Sequence, residues 1–105
     1  MNTHGLDLEQ KRREEERWRI LRVMDAARPV AVSENIIARV LSDVRLTLGV
    51  DEVRRELDYL RKLGLAELEG EDGGTWYAKM TARGVDVVEY TVEAPPGVAR
   101  PRKYW

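Results

Sequence analysis

Apolar side chains recur along this chain at helical spacing as far as residue 64 and at strand spacing after it. Residues 6–27 predict a helix. Positions 9–22 hold no Gly or Pro and no β-branched residue before Ile20, and strong helix formers dominate. The first half is almost purely charged over residues 10–17, and acid–base pairs four residues apart, Glu9 with Arg13 and Glu15 with Arg19, can support it in water. The second half is amphipathic, with Ile20, Leu21, Met24 and Ala27 at helical spacing, and Arg28-Pro29 ends it. Residues 33–42 predict a second helix, with Ser33 as N-cap, Glu34 facing the dipole, and Ile36, Ile37, Val40 and Leu41 as its buried stripe. Residues 51–63 predict a third, with Val53, Leu57, Leu60 and Leu63 on one face and Asp51, Arg54, Arg55, Asp58, Arg61 and Lys62 on the other. Gly64 stops it, and Leu65 supplies the apolar contact beyond the stop.

The period then changes to two. Ala66 and Leu68 alternate with Glu67 and Glu69, and Trp76, Ala78 and Met80 with Thr75, Tyr77 and Lys79, around the turn residues Glu71-Asp72-Gly73-Gly74. Two short strands about a Gly-rich turn predict a β-hairpin. Thr81 caps a short helix to about Glu89, and residues 94–105 are extended and broken by proline. The expected fold is α+β, mainly α: three helices, a hairpin that closes the side they leave open, and a C-terminal helix. Residues 1–93 form the domain, with 1–17 as a charged helical extension, and 94–105 form a Pro-rich basic and aromatic tail.

That order is the order of a winged helix-turn-helix with a two-stranded wing. Residues 53–65, VRRELDYLRKLGL, resemble the recognition helix and first wing strand of bacterial winged-helix regulators, which repeat a Val, polar, Arg, any, Leu pattern that ends in Gly-Leu. Met80-Thr81 followed by Gly84 is similar to the Leu-Thr-x-x-Gly that follows the wing in those families. The resemblance spans residues 18–90. Asp86-Val87-Val88-Glu89, followed by Pro96-Gly97-Val98 and Arg100-Pro101, is also similar to small regulator-like proteins of Mu-type prophages. The resemblance implies sequence-specific binding of double-stranded DNA by a bacterial or phage transcriptional regulator, with residues 51–63 in the major groove. Arg54 and Arg55 then sit where base edges or phosphates are reached, Arg61 and Lys62 near the backbone, and Lys79 and Arg83 beside the wing.

Charge sets a second reading against the first. Asp51 and Glu52 open the third helix, where carboxylates repel phosphate, although Asp51 can cap the helix and Glu52 favours its dipole. Residues 66–93 hold seven acidic and two basic side chains, and Glu69, Glu71 and Asp72 surround the wing tip. Residues 94–105 hold three basic side chains and no acidic one. The alternative is a winged helix that binds protein, as a phage-encoded adaptor or inhibitor. Trp18 and Leu21 beside the charged helix, and Tyr104 and Trp105 in the tail, are its candidate contacts for a second subunit or a foreign partner; the other reading of Tyr104 and Trp105 is that they tuck back onto their own domain. A homodimer through the first helix would also present two recognition helices to a palindromic site.

Catalysis finds no constellation. His4 is the lone histidine, the only serines, Ser33 and Ser42, have no base nearby in sequence, and Gly70, Gly73 and Gly74 belong to a turn. There is no cysteine, and the acidic cluster Glu67, Glu69, Glu71 and Asp72 lacks the alternating ligands of a calcium loop. No cofactor, no metal and no membrane partner is expected. With no signal-peptide core and no apolar run near the ~20 residues that span a bilayer, the expected location is the cytoplasm.

Overall fold

The structure, a computed structural model, describes residues 4–103, with side chains from residue 7 onward. The long uninterrupted run of helix formers makes α1, His4–Ala27. Its charged half is exposed as far as Arg13, but Glu16 is buried, as are Trp18, Ile20, Leu21 and Met24 in its second half. Glu9 and Arg13 approach to 3.9 Å as expected. After a turn, β1 (Val32–Ser33) leads straight into α2 (Glu34–Asp43). Ser33 caps α2, its Oγ accepting from the Ile36 amide at 3.2 Å. The third helix, α3, spans Val50–Lys62 and buries Val53, Leu57 and Leu60. Its N-cap is Gly49 rather than Asp51, and Glu52 reaches back to accept from the Gly49 amide at 3.1 Å. The acidic start of α3 is therefore partly a capping device.

The expected hairpin is β2 (Ala66–Glu69) and β3 (Tyr77–Met80), antiparallel, with Ala66 opposite Met80 and Leu68 opposite Ala78. A third strand joins it. Val32 pairs with Ala78 and Ser33 with Tyr77, so the sheet order is β1-β3-β2. Two residues are too few to show any alternation, which is why β1 leaves no mark on the sequence pattern. The sheet's inner face adds Val32, Ala66, Ala78 and Met80 to the core formed by the helices. The last helix, α4, covers Ala82–Val88. Thr81 joins it to α3: its hydroxyl donates to the Gly64 carbonyl at 2.7 Å and accepts from the Gly84 amide at 3.0 Å. A Cβ at Gly84 would lie 2.5 Å from the Leu65 carbonyl oxygen, so the Met80-Thr81-x-x-Gly84 spacing answers a steric need of this fold. The whole is a small α+β fold, mainly helical.

Three helices end the same way. After α3, Gly64 takes φ +78° and the Leu65 amide bonds back to the Leu60 carbonyl at 3.0 Å. After α2 the left-handed residue is Arg45, with the Leu46 amide on Leu41 at 2.8 Å. After α4 it is Tyr90, with Thr91 on Asp86 at 3.0 Å. Each is a Schellman closure, and only one carries the glycine that such a closure favours. Arg45→Gly should therefore raise stability by roughly 0.5–1 kcal/mol, and Gly64→Ala should lower it by about 1 kcal/mol. Urea midpoints at constant m-value would show both changes.

Candidate functional site

The polar side of α3 was expected to offer cations to solvent, and much of it is engaged internally. Glu34, at the first position of α2, is buried at 3% exposure. Arg54 grips it with Nε at 2.6 Å and Nη2 at 2.9 Å, and the Trp76 amide donates to the same carboxylate at 3.0 Å. The Glu34 amide in turn donates to the Trp76 carbonyl at 2.9 Å. Arg54 also donates to the Gly74 carbonyl at 2.8 Å, and its guanidinium lies 5.0 Å from the centre of the Trp76 ring. The hydrogen bonds from Arg54, with help from Trp76, hold the Glu34 carboxyl below its usual range against the opposing effect of burial. Glu34 is thus not a solvent-facing helix-dipole residue but the anchor of α2, α3 and the hairpin. Nothing in local sequence signals this, because its partners lie 20 and 42 positions away.

Farther along α3, Arg61 pairs with Asp58 and with Glu71 in the hairpin turn, the latter at 2.8 Å. Lys62 meets Asp58 at 3.0 Å. Lys62, then Arg61, hold the Asp58 carboxyl low. The acidic turn therefore reaches α3 at Arg61, through Glu71. Of the six cations expected at DNA, three make no hydrogen bond or ion pair among the described residues: Arg55, Lys79 and Arg83, all exposed. Arg55 borders a cleft against α1 that also holds Arg12, Arg13, Glu16, Glu52 and Thr47. Burial, then the neighbouring Glu56, pushes the Glu16 carboxyl up, and Arg12 opposes them. Lys79 stands opposite Glu67 across the hairpin, and Arg83 passes over Gly64. The cleft beside Arg55 is lined by three arginines and three glutamates, so it carries charge of both signs. Among the described residues, no cluster of His, Asp or Glu is placed to hold a metal ion.

The expected partner contacts are elsewhere too. Trp18 is 5% exposed and Leu21 is fully enclosed, so neither is open to a second subunit. Trp18 packs edge-on against Tyr90 with centroids 6.4 Å apart. Tyr104 and Trp105 lie outside the described residues. The segment before them, expected as a separate tail, runs along the same body. Arg17 donates to the Gly97 carbonyl at 3.0 Å, stacks 3.7 Å above the Tyr59 ring, and pairs with the fully buried Glu56 at 2.9 Å. Gly97 has φ +89°, and a Cβ there would collide with the Tyr59 hydroxyl. Val98 is buried, the Ala99 amide donates to the Glu14 carbonyl at 3.1 Å, and the Tyr90 hydroxyl donates to the Pro101 carbonyl at 2.7 Å.

One apolar face is left over. Ile37 and Leu41 are buried as expected, but Ile36 and Val40, placed in the same stripe, are 50% and 39% exposed, and Val44 after the helix is 41% exposed. The stripe of four residues subtends about 140°, wider than the ~100° a surface helix needs to cover its core, so its outer edge faces water. That width was visible in the sequence. Beside it a cleft of about 260 Å³ opens between α1 and α2, lined by Arg19, Arg22, Val23, Val40, Leu41 and Val44. The expected Glu15–Arg19 pair does not form, so Arg19 stays unpaired there.

The two shifted carboxyls act oppositely on stability. Glu34 sits below its unfolded value. Its contribution is complete above the unfolded carboxylate pKa of about 4.3 and is lost as pH falls through the lower folded value. Glu34→Gln should lower the melting temperature at pH 7 by several degrees and flatten the acid limb of stability against pH. Glu16 sits above its unfolded value, so it costs stability as pH rises from about 4.3 through the folded value. Glu16→Gln should raise the melting temperature at pH 7 and leave it unchanged well below pH 4. Thermal melts across pH 3–8 would separate the two.

No known protein family, curated protein or solved structure matches this chain.

Proposed function

We propose that this chain is a binding module on the winged helix-turn-helix plan, and that its partner is a protein. One observation carries the choice of partner: on α3, Arg54, Arg61 and Lys62 are matched to Glu34, Glu71 and Asp58 within the fold. A side chain already holding carboxylates gains little by exchanging them for phosphates. The hairpin turn, with Glu71 and Asp72 exposed, adds repulsion where a wing would meet the backbone. The exposed Ile36, Val40 and Val44 on and after α2, by contrast, offer an apolar surface, which suits recognition of another protein.

Duplex DNA is the second reading. Arg55, Lys79 and Arg83 favour it, because each is exposed and unpaired among the described residues. The two readings part on salt. Three phosphate contacts give an affinity that falls with log salt at a slope of roughly −3. Fluorescence anisotropy with mixed-sequence duplex from low to physiological salt should show no saturable binding. A salt-dependent isotherm that weakens in Arg55→Ala, Lys79→Ala and Arg83→Ala would instead establish the DNA reading.

A further inference from the structure

We propose that the exposed face of α2, formed by Ile36, Val40 and Val44 with the adjoining cleft against α1, docks an acidic amphipathic helix of a partner protein; this rests on the protein-binding reading above. Ile36, Val40 and Val44 recur every four residues, so they make a line about 12 Å long down one side of α2. The cleft continues that line inward to Val23 and Leu41. An apolar ridge beside a groove accepts a helix that presents large apolar side chains three and four residues apart.

Charge names the partner's flanks. Arg19 and Arg22 stand on the α1 wall of the cleft, and Arg39 is exposed on α2 one position before Val40. None of the three has a carboxylate partner among the described residues, and Arg22 only approaches the Trp18 ring at 5.9 Å. Several other cations are matched within the fold: Lys11, Arg12 and Arg13 on α1, Arg28 after it, and Arg61 and Lys62 on α3 all meet carboxylates, while Arg55, Lys79 and Arg83 stand unpaired among the described residues on other elements. On the outer side of α2 the acidic residue is Asp43 at its end, and Asp25 across the turn already holds Arg28. Three unmatched guanidinium groups around an apolar line call for carboxylates on both sides of an apolar stripe. A second copy of this chain would set arginine against arginine in a symmetric contact. Duplex DNA would leave the apolar line uncovered against phosphate.

The test uses the full chain and a fluorescein-labelled helical peptide of about 18 residues, with Leu at three- and four-residue intervals on one face and Glu beside them. A second peptide has every Glu replaced by Lys. The Glu peptide should bind, should perturb backbone amide resonances around Val40, Val44 and Val23, and should weaken at least tenfold when salt is raised to about 0.5 M. Val40→Glu and the double variant Arg19→Glu, Arg22→Glu should each cost tenfold or more, with melting temperatures near that of the parent because all three residues border solvent. The proposal is overturned if the Glu peptide fails to bind, if the Lys peptide binds as well, if the perturbed amides lie elsewhere, or if α2 amides shift with protein concentration alone, which would mark a second copy as occupant. Duplex DNA titrated in parallel separates this failure from that of the wider reading. Shifts on α3 and the hairpin with DNA overturn the protein-binding reading itself, whereas an unbound peptide with no DNA shifts removes only this surface.

Discussion

A carboxylate that folding removes from water must find charge and hydrogen bonds to replace its solvent, and Glu34 finds all of them on other elements. Arg54 comes from α3 and the amide of Trp76 from the entry to β3. The interaction fixes the start of α2, the face of α3 and the hairpin relative to one another in a single place. It also engages Arg54 fully within the fold. A guanidinium that holds a buried carboxylate and a carbonyl, and lies against an indole, belongs to the architecture.

The same economy recurs on the opposite side of α3. Glu56 is enclosed and leans on Arg17, which spans from α1 to Tyr59 and to the backbone of residue 97. One Glu56 oxygen, Oε2, has no hydrogen-bond partner and is out of contact with water. Burial, and then the nearby Glu56, push the carboxyl of its neighbour Glu16 up. Between Glu34 on one flank and Glu56 on the other, α3 is locked by charge as well as by Val53, Leu57 and Leu60. Its outward residues Asp51, Arg55, Asp58 and Lys62 alternate in sign along an exposed helix face.

The elements themselves were legible because each has a local cause. The change of period at Gly64, the Ser33 and Thr81 caps, and the alternation in the hairpin fix four helices and two strands to within two residues at each end. What escaped has non-local causes. The closures at Arg45 and Tyr90 use residues that give no sign of a left-handed backbone, where Gly64 does. Strand β1 exists only because β3 is there to receive it. Asp58 pairs with Arg61 and Lys62 at local spacing within α3, but the pairs of Arg54 with Glu34 and of Arg61 with Glu71 come from α2 and the hairpin turn, where local sequence could not show them. Trp18 was misplaced for a related reason: beside a charged run it suggests a free aromatic, but helical phase turns it inward with Ile20, Leu21 and Met24.

The segment from residue 96 to residue 101 is gripped mainly by its main chain. The carbonyls of Pro96, Gly97 and Pro101 accept from Tyr59, Arg17 and Tyr90, and the amide of Ala99 donates to Glu14. Its route is therefore encoded in the body it crosses more than in its own side chains. Beyond the main chain, Gly97, buried Val98 and the Arg100 that stacks over Tyr90 hold it by their own character, and Pro96 and Pro101 fix its backbone. Ala99, exposed yet held at its amide, is accordingly a natural attachment point for a fluorophore or crosslinker whose position in space must be known.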